Sequence, residues 1–314
     1  MLKQSLKIIQ RLYKRDFSTQ HKYFNDKNAL NVPWTESPFF SQLIQNCNHT
    51  QNEEHIAKKF NKNGYVIIDL QLTDKECNDI TDDVNSLIHE EKSKIQAKHF
   101  QYNESPRLFE GWKNSNNIKN LILHPKIMRT LTFLYDKKPL PFSSINFTKG
   151  SNQPFHSDTI HFNTIPYKWM TGVWVALENT NKNNGTLRVV PGSHQWDLYN
   201  YYDLKLQHCD DLQNGEEINY RKYEDFIRQL ILSKNAHEEI IELEKGQALI
   251  WASNLLHGGI PIVNKQSTRK TQVSHYFYAG CDQYYHPMFS NPFEGIYAKK
   301  WCDDTNNILN YHDE

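Results

Sequence analysis

From about residue 140 onward, apolar residues fall in short alternating runs separated by turn residues such as Asn184-Gly185 and Pro191-Gly192. The runs predict core strands at 143–148, 153–160, 172–179, 187–191, 248–252 and 271–278. Short strands at these spacings argue for a mainly β fold with flanking helices, a double-stranded β-helix of jelly-roll, cupin-like form. Helical spacing marks the flanks. Asn52 to Asn63 repeats at the helical period and stops at Gly64, a residue suited to a C-cap. Thr73 with Glu76 three residues on reads as a capping box, which puts Ile80, Val84 and Leu87 on one inner face. A further helix is predicted at 220–232, inside a charged stretch from His208 to Glu244 that interrupts the barrel. An insertion at 195–244 can serve as a lid, but that helix taken alone reads more simply as a solvated surface helix.

The division predicted is an N-terminal extension over 1–50 and one domain over 51–314. In the extension, Lys3, Lys7, Arg11, Lys14 and Arg15 alternate with Leu2, Leu6, Ile8, Ile9 and Leu12. That pattern fits a mitochondrial presequence or a basic surface helix, so cytoplasmic placement is the expectation and the mitochondrial matrix its alternative. The aromatic, proline-set strap at 31–40 is expected to pack on the domain. Lys+Arg and Asp+Glu both number 36, so nothing in the charge balance suggests a nucleic-acid groove or polybasic membrane surface. Apolar runs are far shorter than the roughly 18 to 20 residues needed to span a bilayer. Five cysteines, widely spaced and odd in number, suggest neither a zinc site nor a disulfide framework. A small-molecule substrate is the expected partner, and no oligomeric state is specified.

Candidate chemistry concentrates in Phe155-His156-Ser157-Asp158, Leu256-His257-Gly258-Gly259 and Arg269. In an extended strand His156 and Asp158 would project to the same side, and His257 would close a triangle from a distant strand. Two imidazoles and a carboxylate are the ligand set of non-haem Fe(II) oxygenases, because three positions stay open for cosubstrate and dioxygen. Arg269 offers a planar, permanently charged fork for the far carboxylate of a dicarboxylate. An H-x-D tripeptide in a chain with 15 histidines is a weak signal by itself.

Its surroundings strengthen it. Thr171-Gly172-Val173-Trp174-Val175-Ala176-Leu177 is followed by Asn184-Gly185-Thr186-Leu187 and by Val190-Pro191-Gly192-Ser193-His194, and then by the H-G segment and the arginine. This ordered set, over roughly Gly64 to Tyr278, resembles the phytanoyl-CoA dioxygenase family of Fe(II)- and 2-oxoglutarate-dependent oxygenases. The resemblance implies His156, Asp158 and His257 as iron ligands, Arg269 as the 2-oxoglutarate anchor and Trp174 beside the cosubstrate. It also implies O2 as oxidant and hydroxylation of an aliphatic C–H bond, with succinate and CO2 as coproducts. The family spaces its arginine ten or eleven residues after the distal histidine, against twelve here, and the strand after Arg269 makes Lys270 the lesser candidate. Gly259 stands where some relatives carry a serine that touches the cosubstrate, so such a contact would have to come from backbone.

Lesser candidates surround this core. Asn146 and Thr159 lie next to the ligand segment and are candidate cosubstrate contacts, and His161 and His275 can face the pocket. His194 reads as structural, Arg107 as a surface ion pair, and Tyr167, Trp169 and Met170 as either an apolar wall or barrel packing. The rival functions are a zinc-dependent hydrolase, a catalytically silent binding protein on the same fold, and a cupin-like isomerase.

Overall fold

The computed structural model describes residues 22–91, 107–206, 215–291 and 294–295. The strands are β1 Tyr65–Asp69, β2 Arg107–Phe109, β3 Pro139–Phe147, β4 Asn163–Ile165, β5 Met170–Ala176, β6 Leu187–Val189, β7 Glu239–Ile241, β8 Gln247–Ala252, β9 His257–Gly259, β10 Thr271–Tyr278 and β11 Gln283–Tyr285. The helices are α1 Lys22–Asn25, α2 Phe40–Asn46, α3 Gln51–Asn63, α4 Asp74–Glu91, α5 Asn116–Ile122, α6 Pro125–Tyr135 and α7 Gly215–Ser233. Six strands form one antiparallel sheet in the order β1-β8-β5-β10-β3-β2, and β7-β6-β9 form a second.

Strand alternation decides what each face of the large sheet meets. Trp174, Ala176, Leu249 and Trp251 turn inward and pack against Leu187, Val189 and Ile241 of the small sheet. Val173, Val175, Ala248 and Ile250 turn outward under Ile80, Val84, Ile118, Leu121, Ile127 and Leu131 of the helices. Two facing sheets with helices on the outer face of the larger one make the double-stranded β-helix that the apolar pattern predicted.

Local signals also match. Glu53 N–H donates to Thr50 Oγ1, and Thr50 N–H to the Glu53 carboxylate, which caps α3 at its start. At its end Gly64 has φ +80°, and a Cβ there would lie 2.5 Å from His194 Nδ1. Thr73 and Glu76 form the expected box before α4. In the strap, Trp34 Nε1 donates to Phe133 O and Thr35 Oγ1 to Leu134 O, pinning it to α6. The basic pattern at 2–15 lies outside the described residues. No described helix is long and apolar enough to cross a membrane.

Two expectations need correcting. Residues 153–160 are not a strand: His156 makes a single bridge to His257, and Asp158–Ile160 is a 3-10 turn. Ser157 causes the turn by capping it, its Oγ accepting from Thr159 N–H. Nor is α7 a solvated surface helix. Tyr220, Tyr223, Ile227 and Ile231 form one buried stripe against Phe155, Ile160, Val190 and Leu256.

Candidate metal centre and cosubstrate clamp

The bridge between residues 156 and 257 builds the centre. His156 N–H donates to His257 O and His257 N–H to His156 O, both at 3.0 Å, so two distant segments hold their imidazoles side by side. Each ring is oriented by a carbonyl two residues back: His156 Nδ1 lies 3.0 Å from Pro154 O, and His257 Nδ1 lies 3.0 Å from Leu255 O. A carbonyl can only accept, so Nδ1 carries the proton in both rings and Nε2 keeps its lone pair for a metal. Asp158 Oδ1 faces the two Nε2 atoms at 3.8 and 3.7 Å. The ligand atoms of His156, Asp158 and His257 all lie within 4.8 Å of one another, although the turn rather than strand alternation brings the carboxylate round.

The electrostatics suit a cation. Burial, with the His257 imidazole beside it, pushes the His156 pKa down to about 3, so this imidazole is unprotonated at neutral pH. Burial alone would raise Asp158, but the imidazoles of His257, His275 and His156 outweigh it and hold the carboxyl well below the usual carboxylate range. A buried carboxylate and two imidazole Nε2 atoms aimed at one point fit a divalent metal and leave part of its coordination sphere facing the cavity.

That cavity, about 290 Å³, runs from the cluster to Arg269 between Trp174, Leu187, Gly259 and Val273. Arg269 is buried, and its Nη1 donates to Gly185 O at 2.9 Å. Its Nε has no partner, and among the described residues it forms no ion pair. Burial, with the nearby charge of Arg107, pushes its pKa down to about 9, which still leaves the guanidinium charged at neutral pH. A buried cation with an unmet N–H is costly, and an anionic ligand in the cavity would relieve it.

The sequence candidates divide by where they point. Trp174 lines the cavity, its ring 5.6 Å from the Arg269 guanidinium carbon. Asn146 does not: β3 presents Ile145 and Phe147 to the cavity, and Asn146 turns to the other face to donate to Gln272 Oε1 at 3.0 Å. Thr159 also turns away, held by Ser157 and lining a separate groove with Tyr167 and Tyr201. His161 and His275 do line the cavity, and so does Arg107, which sequence reasoning left at the surface. His194 is structural, its Nε2 3.1 Å from Asn61 O. Trp169 and Met170 are core packing, while Tyr167 is half exposed.

Some wall residues were missed. Ser151 Oγ lies 2.9 Å from where a Gly259 side chain would begin, so a hydroxyl from the neighbouring segment occupies that place. From α7, Tyr220 OH accepts from Gln153 Nε2 and lies 3.1 Å from His161 Nε2, and Tyr223 OH accepts from Ser157 N–H at 3.3 Å. Trp251 donates to Asp158. The alternation of β8 marks Leu249 and Trp251 as one face, and the helical spacing of 220, 223, 227 and 231 was readable; the partners were not.

Comparison with known proteins agrees with this geometry. The chain matches bovine "Phytanoyl-CoA dioxygenase, peroxisomal" at 27% identity over 191 residues, covering 60% of this chain and 51% of that protein. It matches the human protein of the same description at 28% over 163 residues, covering 50% and 41%. The chain thus spans about half the length of the curated relatives it matches. Among solved structures, the epimerase SnoN from nogalamycin biosynthesis, in complex with Fe3+, alpha ketoglutarate and nogalamycin RO, aligns with TM-score 0.54 at 17% identity over 77% of this chain and 88% of that one. EctD from S. alaskensis with 2-oxoglutarate and 5-hydroxyectoine aligns with TM-score 0.54 at 16% identity over 74% and 76%. At such identities the likeness concerns the fold. The family model described as phytanoyl-CoA dioxygenase (PhyH) matches residues 60–271, more than half of the 314, and the chain belongs to that family.

Proposed function

We propose that the protein is an Fe(II)- and 2-oxoglutarate-dependent dioxygenase that hydroxylates an aliphatic C–H bond of a small-molecule substrate. The observation that carries this reading is the buried, partly unsatisfied Arg269 at one end of a cavity whose other end is the His156, Asp158 and His257 cluster. The three ligands would hold Fe(II), and Arg269 would take the far carboxylate of 2-oxoglutarate, with Trp174 beside it. Bound together, iron and 2-oxoglutarate supply the oxidising chemistry with O2, releasing succinate and CO2. The protein's part is orientation and exclusion. Phe109, Phe162, His161 and His286 wall the rest of the cavity and are the candidate substrate contacts.

Asp158 favours hydroxylation over halogenation, because a carboxylate ligand leaves no place for a halide on the metal. A zinc hydrolase would need a general base beside the metal-bound water. Among the described residues the cavity contains no second carboxylate, and Arg269 has no part in such a reaction.

Anaerobic titration with Fe(II) and then 2-oxoglutarate tests the reading. A weak visible charge-transfer band is expected in the wild type and weakened in Arg269→Ala. Bound iron with no band on adding 2-oxoglutarate would remove it and redirect work to hydrolysis or binding.

A further inference from the structure

The Asp158 carboxylate is held asymmetrically. Its Oδ1 faces the two histidine Nε2 atoms, while Oδ2 accepts a 2.7 Å hydrogen bond from Trp251 Nε1. His275 Nε2 is 3.7 Å from the same oxygen, beyond hydrogen-bond range. We propose that Trp251 is a positioning residue that reserves Oδ2 and so restricts Asp158 to one metal bond, and that Gly172 is the space that permits it. The inference rests on the iron-site reading above.

A carboxylate can bind a cation through one oxygen or both. Two-oxygen binding would fill one of the three positions that this ligand set must leave open. An indole N–H suits the task because it is a donor with no lone pair to offer a metal. The same indole packs on His257, ring centroids 4.8 Å apart, so Trp251 touches two of the three ligands.

Gly172 explains how the indole gets there. It lies on β5 directly across from Trp251 on β8. A Cβ at residue 172 would be 2.2 Å from Trp251 Cε2 and Cζ2 and 2.7 Å from Nε1. The indole therefore lies flat over a residue without a side chain and reaches past it to Asp158. Glycine weakens the middle of a strand, and a close approach of this kind is the usual reason for finding one there.

The test uses Co(II), which reports coordination without turnover, in wild type, Trp251→Phe and Gly172→Ala. Trp251→Phe keeps the ring and loses only the donor. It should bind Co(II) no more weakly than wild type, since all three ligands remain and one gains an oxygen. Its Co(II) d–d spectrum should change, and 2-oxoglutarate, which must displace that oxygen, should bind about ten- to a hundredfold more weakly, the scale of a lost hydrogen bond to a charged group. Gly172→Ala, whose indole is intact but displaced, should show the same spectral change. Wild-type spectrum and 2-oxoglutarate affinity in a folded Trp251→Phe overturn the proposal, and a wild-type spectrum in Gly172→Ala overturns the part given to glycine. Should either variant fail to fold, a metal-loaded wild-type crystal structure decides: Asp158 bound through Oδ1 alone supports the proposal, and through both oxygens refutes it. Failure of wild type to bind Co(II) would instead bring down the iron-site reading.

Discussion

The two ends of the cavity are finished to different degrees. At the metal end the protein supplies the partners itself: Pro154 O and Leu255 O orient the imidazoles, and Trp251 holds Asp158. At the other end the Arg269 guanidinium makes one hydrogen bond among the described residues, to Gly185 O, and buries an Nε–H with no partner. The difference teaches where each part of the binding free energy resides. The metal end is preorganised, so loss of a ligand or of a group that orients the ligand turn should appear in metal binding. The Trp251 hydrogen bond is the exception, because its loss leaves all three ligand side chains in place. The arginine end would be completed by the proposed 2-oxoglutarate, so the ligand-free protein would carry a cost that it recovers on binding.

The strongest way to break this comparison is to remove a ligand. Asp158→Ala leaves two imidazoles and takes away the negative charge, and Fe(II) binding should fall below detection in an anaerobic titration at micromolar protein. Undiminished binding would mean the cluster is not the metal site. Arg269→Met sharpens the other half. The affinity for 2-oxoglutarate should fall by roughly 2–5 kcal/mol, the cost of deleting one member of a buried charged pair. Thermal unfolding of the ligand-free variant should nevertheless match or exceed wild type, because an apolar chain of similar volume replaces an uncompensated buried cation. A ligand-free variant several degrees less stable would show that Arg269 is already satisfied by the protein.

Acid separates the ends in another way. Burial pushes His156 down to about 3 and His161 down to about 4, whereas both should titrate near 6.5 when unfolded. Below pH 6.5 the unfolded chain therefore binds protons that the folded one does not, so stability present above that pH is lost as the pH falls toward 4. Each histidine contributes at most about 1.4 kcal/mol per pH unit within its window. Ligand-free His161→Gln should lose less stability than wild type between pH 6.5 and 4 in chemical denaturation, and match it near pH 7.5. Parallel curves would mean that His161 is as accessible to protons folded as unfolded.

The sequence carried the parts of this picture that depend on residue type and period. Five of the six strand segments, two helix caps and the four residues His156, Asp158, His257 and Arg269 that meet at the cavity were legible because alternation, capping chemistry and motif order are local properties. The segment at 153–160 was misread because Ser157 turns it. Residues whose role depends on register were not. Asn146 adjoins the cavity strand in sequence but alternation turns it to the opposite face, toward Gln272. Trp251 and Gly172 are 79 positions apart and meet only because β5 and β8 pair in that register. The α7 stripe was readable at helical spacing, but the charges between Tyr220 and Ile231 favoured a solvated reading.

That stripe gives the smallest of the expected effects and a test of how the metal end stays rigid. Tyr223 OH accepts the N–H of Ser157, the residue between two proposed ligands, and Tyr220 OH accepts from Gln153, whose amide nitrogen is 3.3 Å from His156 Nε2. Helix α7 thus braces the ligand turn through two hydroxyls, while Arg269 has no comparable brace. Tyr223→Phe keeps the buried ring and leaves the Ser157 N–H without that acceptor, so it should cost about 1 kcal/mol. For a chain of this length that is a fall of roughly 1–2 °C in melting temperature. The comparison adds a sharper requirement: Fe(II) affinity should weaken detectably, and 2-oxoglutarate affinity measured at saturating metal should not. Equal losses in both would mean that the two ends share one scaffold, and that the preorganisation seen at the metal end extends to the arginine.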